Sequence, residues 1–104
     1  MDKVIRDGKV AVLTSPGYGA GWYSWHLVPE LVFDPVIVDM VDKGVDYTEI
    51  IQYCEKQFPS FTHCYAGAED LTITWIEEGR EFVINEYDGF ESIEFKEDMA
   101  WLVA

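Results

Sequence analysis

The residues with the clearest potential for chemistry lie in the segment TSPGYGAGWYSWH, which spans Thr14–His26. Its three glycines follow a predicted strand, as they do in loops whose main-chain N–H groups bind phosphate. The segment lacks the glycine spacing of a dinucleotide fingerprint and the Lys-Ser/Thr pair of a P-loop. A small-ligand or nucleotide site is therefore kept as an alternative interpretation, with the candidate residues Ser15, Gly17, Gly19 and Gly21.

Four large aromatic side chains lie among and after these glycines, and they are Tyr18, Trp22, Tyr23 and Trp25. Tyrosine and tryptophan dominate the energetic hot spots of protein interfaces, so the loop is a candidate contact surface for a partner protein. The competing interpretation is a structural loop in which Trp22 and Trp25 fill the core. The burial of these two tryptophans distinguishes the two interpretations.

Other reactive side chains form no recognisable catalytic or metal-binding pattern. The spacing of Cys54, His63 and Cys64 matches no zinc motif, and Cys54 falls on the apolar stripe of a predicted helix. Ser15 and Ser24 are not in a nucleophile elbow. Carboxylates are abundant, but no two of them are placed in the sequence so as to mark a catalytic pair. The sequence therefore predicts no enzyme, no catalytic residue, no bound metal and no cofactor.

The charge of the chain restricts its partners. Twenty acidic residues oppose seven basic ones, which gives a net charge of −13, and residues 69–104 alone carry eleven acidic and two basic residues. Direct binding of nucleic acid is not expected, because phosphate requires lysine and arginine. An acidic face suits a basic partner. The alternative is that the negative charge only keeps the protein soluble. The candidate acidic contact residues are Glu77, Glu78, Glu81, Glu86, Asp88, Glu91 and Glu94.

Length and composition indicate one domain over residues 1–104. Apolar residues make up 49% of the chain, which is enough for a hydrophobic core. No apolar run is long enough to span a membrane, and no secretory signal is visible. Two cysteines are too few for a disulfide scaffold. The sequence therefore predicts a cytoplasmic protein with no membrane partner.

Local signals in the first 60 residues predict a hairpin and two helices. Asp7-Gly8 between apolar runs predicts a hairpin that joins residues 3–6 to residues 9–13. Asp34 is a good N-cap for a helix that Gly44 ends. A second helix is expected to begin near Asp46 or Thr48 and to stop at Pro59.

From Leu71 onward the apolar period changes to two, which predicts a three-stranded meander over Leu71–Glu77, Arg80–Tyr87 and Phe90–Lys96. Two-residue turns at 78–79 and 88–89 set Trp75 opposite Phe82, Phe82 opposite Phe95, and Glu86 opposite Glu91. The last pair would be either a solvated hairpin tip or negative charge offered to a groove built for nucleic acid. The fold class expected is α+β: an antiparallel sheet of about five strands, from the N-terminal hairpin and this meander, with two short helices on one face.

The opening VIRDGKVAVLTSPGYGAGWYSW, at residues 4–25, resembles that of a group of small, largely uncharacterised proteins of tailed bacteriophages and prophages. The likeness continues at residues 29–38, 66–93 and 101–104. The resemblance implies a phage setting and supplies no catalytic residues.

We therefore expect a phage accessory protein that binds and inhibits a host protein with a basic surface in the host cytoplasm. A nucleic-acid-handling or defence enzyme is the expected target, as for an anti-CRISPR-type inhibitor. The alternatives are a small-ligand or nucleotide-sequestering protein that uses the glycine loop, and a self-associating virion or assembly protein.

Overall fold

The structure is a computed structural model, and it describes residues 1–19, 21–58, 67–99 and 102–104. The described residues form antiparallel strands and short helices, so the predicted α+β class is confirmed. In chain order the elements are β1 (Ile5–Arg6), β2 (Lys9–Thr14), α1 (Tyr23–His26), α2 (Glu30–Phe33), α3 (Pro35–Asp42), α4 (Tyr47–Gln57), β3 (Thr72–Glu77), β4 (Phe82–Tyr87) and β5 (Phe90–Phe95). Single 3₁₀ turns cover Ala68–Asp70 and Lys96–Asp98.

The N-terminal hairpin forms as its turn residues predict. Asp7 and Gly8 have φ values of +52° and +76°, the two consecutive positive angles that a type I′ turn requires. This turn sets Ile5 opposite Val10, as expected. Strand β2 then lies between β1 and β3, and it is buried from Val10 to Thr14.

The two longer helices begin at the predicted residues, and the first of them also ends as predicted. The Asp34 carboxylate accepts hydrogen bonds from the first turn of α3, at 2.9 Å from Val36 N and 3.1 Å from Ile37 N. Gly44, at φ +69°, follows the C-cap of α3 and donates to Val41 O, as glycine does after many helix ends. Asp46 caps α4 by accepting from Thr48 N. Pro59, the predicted stop, lies outside the described residues.

The predicted three-stranded meander is correct in its second half and wrong in its first. Strands β4 and β5 pair in the predicted register, with Phe82 opposite Phe95 and Glu86 opposite Glu91. Strand β3 pairs with β2 rather than with β4, and Leu13 lies opposite Ile73. The five strands therefore form a three-stranded sheet in the order β1-β2-β3 and a separate two-stranded sheet of β4 and β5.

The turn between β3 and β4 explains this difference. Asp7 and Asp88 adopt positive φ at the first central position of their turns, but Glu78 does not, and only Gly79 of its pair has a positive φ. A turn of that kind splays the flanking strands, because its twist does not match theirs. The main-chain N–H of Glu78 donates instead to Gly8 O at 2.9 Å, which holds the end of β3 beside the first hairpin.

Two hydrophobic clusters share strand β2 as a common wall. Because alternate residues of a strand face opposite sides, Ala11 and Leu13 join the helices in one cluster, and Val12 joins Ile76 in the other. The apolar face of the β4–β5 hairpin covers the second cluster with half-buried side chains, namely Phe82, Ile84, Ile93 and Phe95. In the described ranges, no helix combines the length and apolar character needed to cross a bilayer.

Candidate functional site

The glycine-rich loop and the turn of the β4–β5 hairpin meet at one end of the molecule. The main-chain N–H of Gly19 donates to Asp88 O at 2.7 Å, and the rings of Tyr18 and Phe90 lie with their centroids 5.2 Å apart. The structure thus joins the predicted aromatic loop to part of the predicted acidic strands. We call the resulting patch the tip surface, and it consists of Tyr18, Trp25, Glu86, Tyr87, Asp88 and Phe90.

Large aromatic side chains of the tip surface are open to solvent. Tyr18 is 70% exposed, Trp25 is 54% exposed and Tyr87 is 79% exposed. Rings of this size expose a large apolar area to water. A partner that covers them removes this area from water, which makes them strong anchors. The sequence interpretation missed Tyr87 and Phe90. The signal that could have found them is their position on either side of the Asp88-Gly89 turn.

Trp22 does not belong to this surface. Its side chain is 0% exposed, its indole N–H donates to Leu31 O at 2.9 Å, and the His26 ring packs edge-on against it. The assignment of Trp22 as a partner contact is therefore corrected: it fills the first hydrophobic cluster. Tyr23 is half-buried against the second cluster, away from the tip. The loop thus supplies both a core plug and, through Tyr18 and Trp25, exposed rings.

Glu91 is also misplaced by the sequence interpretation. It is 2% exposed, so it is not part of an acidic face. Its Oε1 accepts from Ser15 N at 2.8 Å and its Oε2 accepts from Ser24 N at 2.7 Å, while its own N–H donates to Ser15 O. Glu86, directly opposite, is exposed and accepts from Gly89 N. Main-chain donors thus hold each carboxylate of this like-charged pair.

The glycines of the loop are required by the protein's own packing. A Cβ on Gly17 would lie 2.1 Å from Asp70 Oδ2, and a Cβ on Gly21 would lie 2.1 Å from Ser24 Oγ. Gly19 has a φ of +109°, which favours glycine. The Ser15 and Ser24 N–H groups that could face a phosphate already bind Glu91. The described part of the loop is therefore built around internal carboxylates, and this arrangement does not favour the nucleotide interpretation.

Several of the other predicted acidic residues already have partners on the surface. Arg80 bridges Glu77 and Glu97, and Lys96 Nζ lies 2.9 Å from Glu81. A hydrogen bond from its own main chain, followed by the one from Arg80, holds the pKa of Glu77 below its ordinary value.

Two further acidic residues lie away from the tip as well. Glu94 accepts from the Asn85 amide, and Glu78 is exposed at the β3–β4 turn. By contrast, no described lysine or arginine forms an ion pair with Glu86 or Asp88 at the tip.

Neither the metal-ligating side chains among the described residues nor a comparison with known proteins indicates a further site. Within the part of the chain that the structure describes, no three histidine, cysteine or acidic side chains are grouped to hold a metal ion. Cys54 is buried on α4, and His63 and Cys64 lie outside the described residues. No protein-family model, curated protein or solved structure matches the chain.

Proposed function

We propose that this protein binds a partner protein with a basic surface through its tip surface. The observation that carries the proposal is the contact between the loop and the β4–β5 turn, which joins exposed Tyr18 to the turn that carries Tyr87 and Asp88. Exposed Trp25 follows Ser24, whose N–H binds Glu91 on the strand position opposite Glu86. Aromatic rings supply apolar contact area with few rotatable bonds, and carboxylates that form no ion pair with a described lysine or arginine select and attract a cationic partner. Together they form a patch suited to a protein interface.

Charge supports a partner that itself binds nucleic acid. The chain has a net charge of −13, and enzymes that handle nucleic acid present lysine and arginine to phosphate. A protein that covered such a basic groove with the tip surface would compete with nucleic acid. We therefore propose inhibition of a host nucleic-acid-handling or defence enzyme as the outcome of binding. The resemblance to phage proteins supports this setting in the host cytoplasm.

Capture from a bacterial lysate with matched variants tests the binding surface. Trp25→Ala and Tyr87→Ala are expected to lose the captured protein, because each removes an exposed ring of the tip. Tyr47→Ala is the control, since Tyr47 is also an exposed aromatic residue but lies on α4. Capture should weaken strongly as salt rises from about 0.05 to 0.5 M, over which the Debye length falls roughly threefold. Capture that survives both tip variants would refute the assignment.

Inhibition is tested separately with the captured protein in purified form. Its activity on nucleic acid should fall as the wild-type chain is added, and Trp25→Ala should restore it. Unchanged activity with saturating wild-type chain would refute inhibition and leave only binding. Light scattering on the same sample distinguishes a complex with the partner from self-association of this chain.

A further inference from the structure

A groove with a volume of about 300 Å³ runs beside strand β4. It is lined by Tyr23, Pro29, Val32, Phe33, Phe82, Val83 and Ile84. Successive side chains of a strand point to opposite faces, so a groove that contacts three consecutive residues lies along the edge of that strand. The opposite edge of β4 is already paired with β5.

The hydrogen-bond pattern shows which main-chain groups of β4 lie on the edge opposite β5. Lys96 N donates to Glu81 O at 3.0 Å, one position beyond the Phe82–Phe95 pair. Bonded and non-bonded pairs alternate in an antiparallel ladder, so Val83, Asn85 and Tyr87 are bonded to β5. The N–H and C=O groups of Phe82, Ile84 and Glu86 therefore point to the other side. Among the described residues these three make no main-chain hydrogen bond outside the hairpin.

An edge of this kind can pair with an additional strand, and the groove beside it can hold an apolar side chain. The walls supplied by Val32, Phe33 and Ile84 are apolar, and a volume of about 300 Å³ is at the lower limit of small-molecule sites. It suits one or two side chains of a peptide better than a large ligand.

Charge identifies the kind of strand that fits. Glu30 begins α2 beside the groove, and Glu86 lies at the end of β4. A second copy of the chain would bring a further net charge of −13 against the same acidic edge. Charge therefore favours a basic segment over self-pairing.

We infer that an extended basic segment of the partner adds to β4 as a third strand and places one large apolar side chain in the groove. This inference rests on the proposed function, since it assigns the form of the basic partner. Binding then uses two adjoining regions: the tip surface, which contacts the folded partner, and the β4 edge, which pairs with its extended segment.

The test uses the full chain and a labelled peptide, KVKFKVK, with KSKSKSK as a control of equal charge. The amides of Ile84 and Glu86 should exchange about tenfold more slowly with KVKFKVK, because they gain main-chain hydrogen bonds. The amide of Asn85, which is already bonded to β5, should change little. Equal affinity for the two peptides would mean attraction by charge alone and would overturn the inference.

A pair of variants at one position isolates the strand edge. Glu86→Pro removes an N–H on the edge of β4 opposite β5, and proline is tolerated where the N–H of an edge strand is not bonded to its neighbour. Glu86→Ala removes the same charge and the same hydrogen bond from Gly89 N, and it keeps the main-chain N–H. Glu86→Pro should bind KVKFKVK about tenfold more weakly than Glu86→Ala. Circular dichroism verifies that both variants fold, and equal binding by the two folded variants would overturn the inference.

The outcomes separate this inference from the proposed function. If the peptide fails to protect β4 while tip variants still abolish partner capture, only the added strand is refuted. If the peptide protects β4 but tip variants leave capture intact, only the tip surface is refuted.

Discussion

The buried carboxylate of Glu91 is expected to stabilise the glycine-rich loop, and Glu91→Ala tests this directly. Two main-chain donors, Ser15 N and Ser24 N, bind its oxygens at 2.8 and 2.7 Å. A hydrogen bond to a charged group contributes about 1.5–3 kcal/mol, so losing both would cost about 3–6 kcal/mol. Relief from burying a charge offsets part of this loss. We expect a net decrease of about 3 kcal/mol in the free energy of unfolding.

This decrease is large enough to measure by two methods. In a domain of this size, 1 kcal/mol corresponds to about 4–8 °C in Tm, so Glu91→Ala should lower Tm by roughly 12–24 °C. Urea unfolding followed by circular dichroism gives the free energy directly. Glu91→Gln keeps one acceptor oxygen and should lose less, about 1–3 kcal/mol, because a neutral amide replaces the carboxylate.

The control for charge is Glu78→Gln, which removes a carboxylate from an exposed position. It should change the free energy of unfolding by no more than about 0.5 kcal/mol. The hydrogen exchange of Ser15 and Ser24 amides should accelerate in Glu91→Ala. If Glu91→Ala is as stable as Glu78→Gln, or if these two amides stay protected, the carboxylate does not hold the loop.

Three further predictions test the packing and titration of single residues. Gly21→Ala would place a Cβ 2.1 Å from Ser24 Oγ and 2.8 Å from Trp25 Cδ1, so even a rotated Ser24 leaves the ring in the way; it should cost about 1–3 kcal/mol, and a wild-type urea midpoint would contradict the steric argument. Burial first, and then the hydrogen bond to Asp34, raises the pKa of Tyr53 from 10.0 to about 12. Its stabilising contribution is therefore present below pH 10.0 and is lost as the pH rises through about 12, and phenolate absorbance should show this late ionisation in the wild type but not in Tyr53→Phe. The main-chain N–H of the first turn of α4 lowers the pKa of Asp46, so its contribution is present above pH 3.8 and is lost as the pH falls through the lower folded-state value. Acid unfolding of Asp46→Asn should lack that part of the pH dependence, and an unchanged acid limb would contradict it.

Features with local causes could be predicted from the sequence. The Asp-Gly turns at Asp7 and Asp88 fixed the registers of two hairpins, because aspartate tolerates the positive φ that a type I′ turn needs. Asp34 and Asp46 marked the helix starts, because their carboxylates bind the first free N–H groups. Glu78-Gly79 resembled the two Asp-Gly turns in sequence, but glutamate does not adopt the same angle.

Features with distant causes could not be predicted. The N–H groups that bind the Glu91 carboxylate lie 67 and 76 positions away along the chain, and no short-range sequence pattern relates such distant residues. Strand β2 is apolar on both faces, and β1 pairs with only one of its edges. Strand β3 pairs with the other edge, and no local signal in the sequence identifies that partner. Trp22 and Trp25 are close in sequence and identical in type, yet Trp22 packs in the first hydrophobic cluster with its indole N–H bonded to Leu31 O, whereas Trp25 is exposed.

The pairing of β2 with β3 also has a consequence for the order of folding. Its register joins Thr14 to Thr72, which are 58 positions apart, so this ladder closes a long loop before it gains stability. The β1–β2 and β4–β5 hairpins close two-residue turns, and hairpins of that kind form within about 1–10 μs. Mutations in the β2–β3 ladder, and in the hairpins that form before it, should therefore slow refolding more than they speed unfolding.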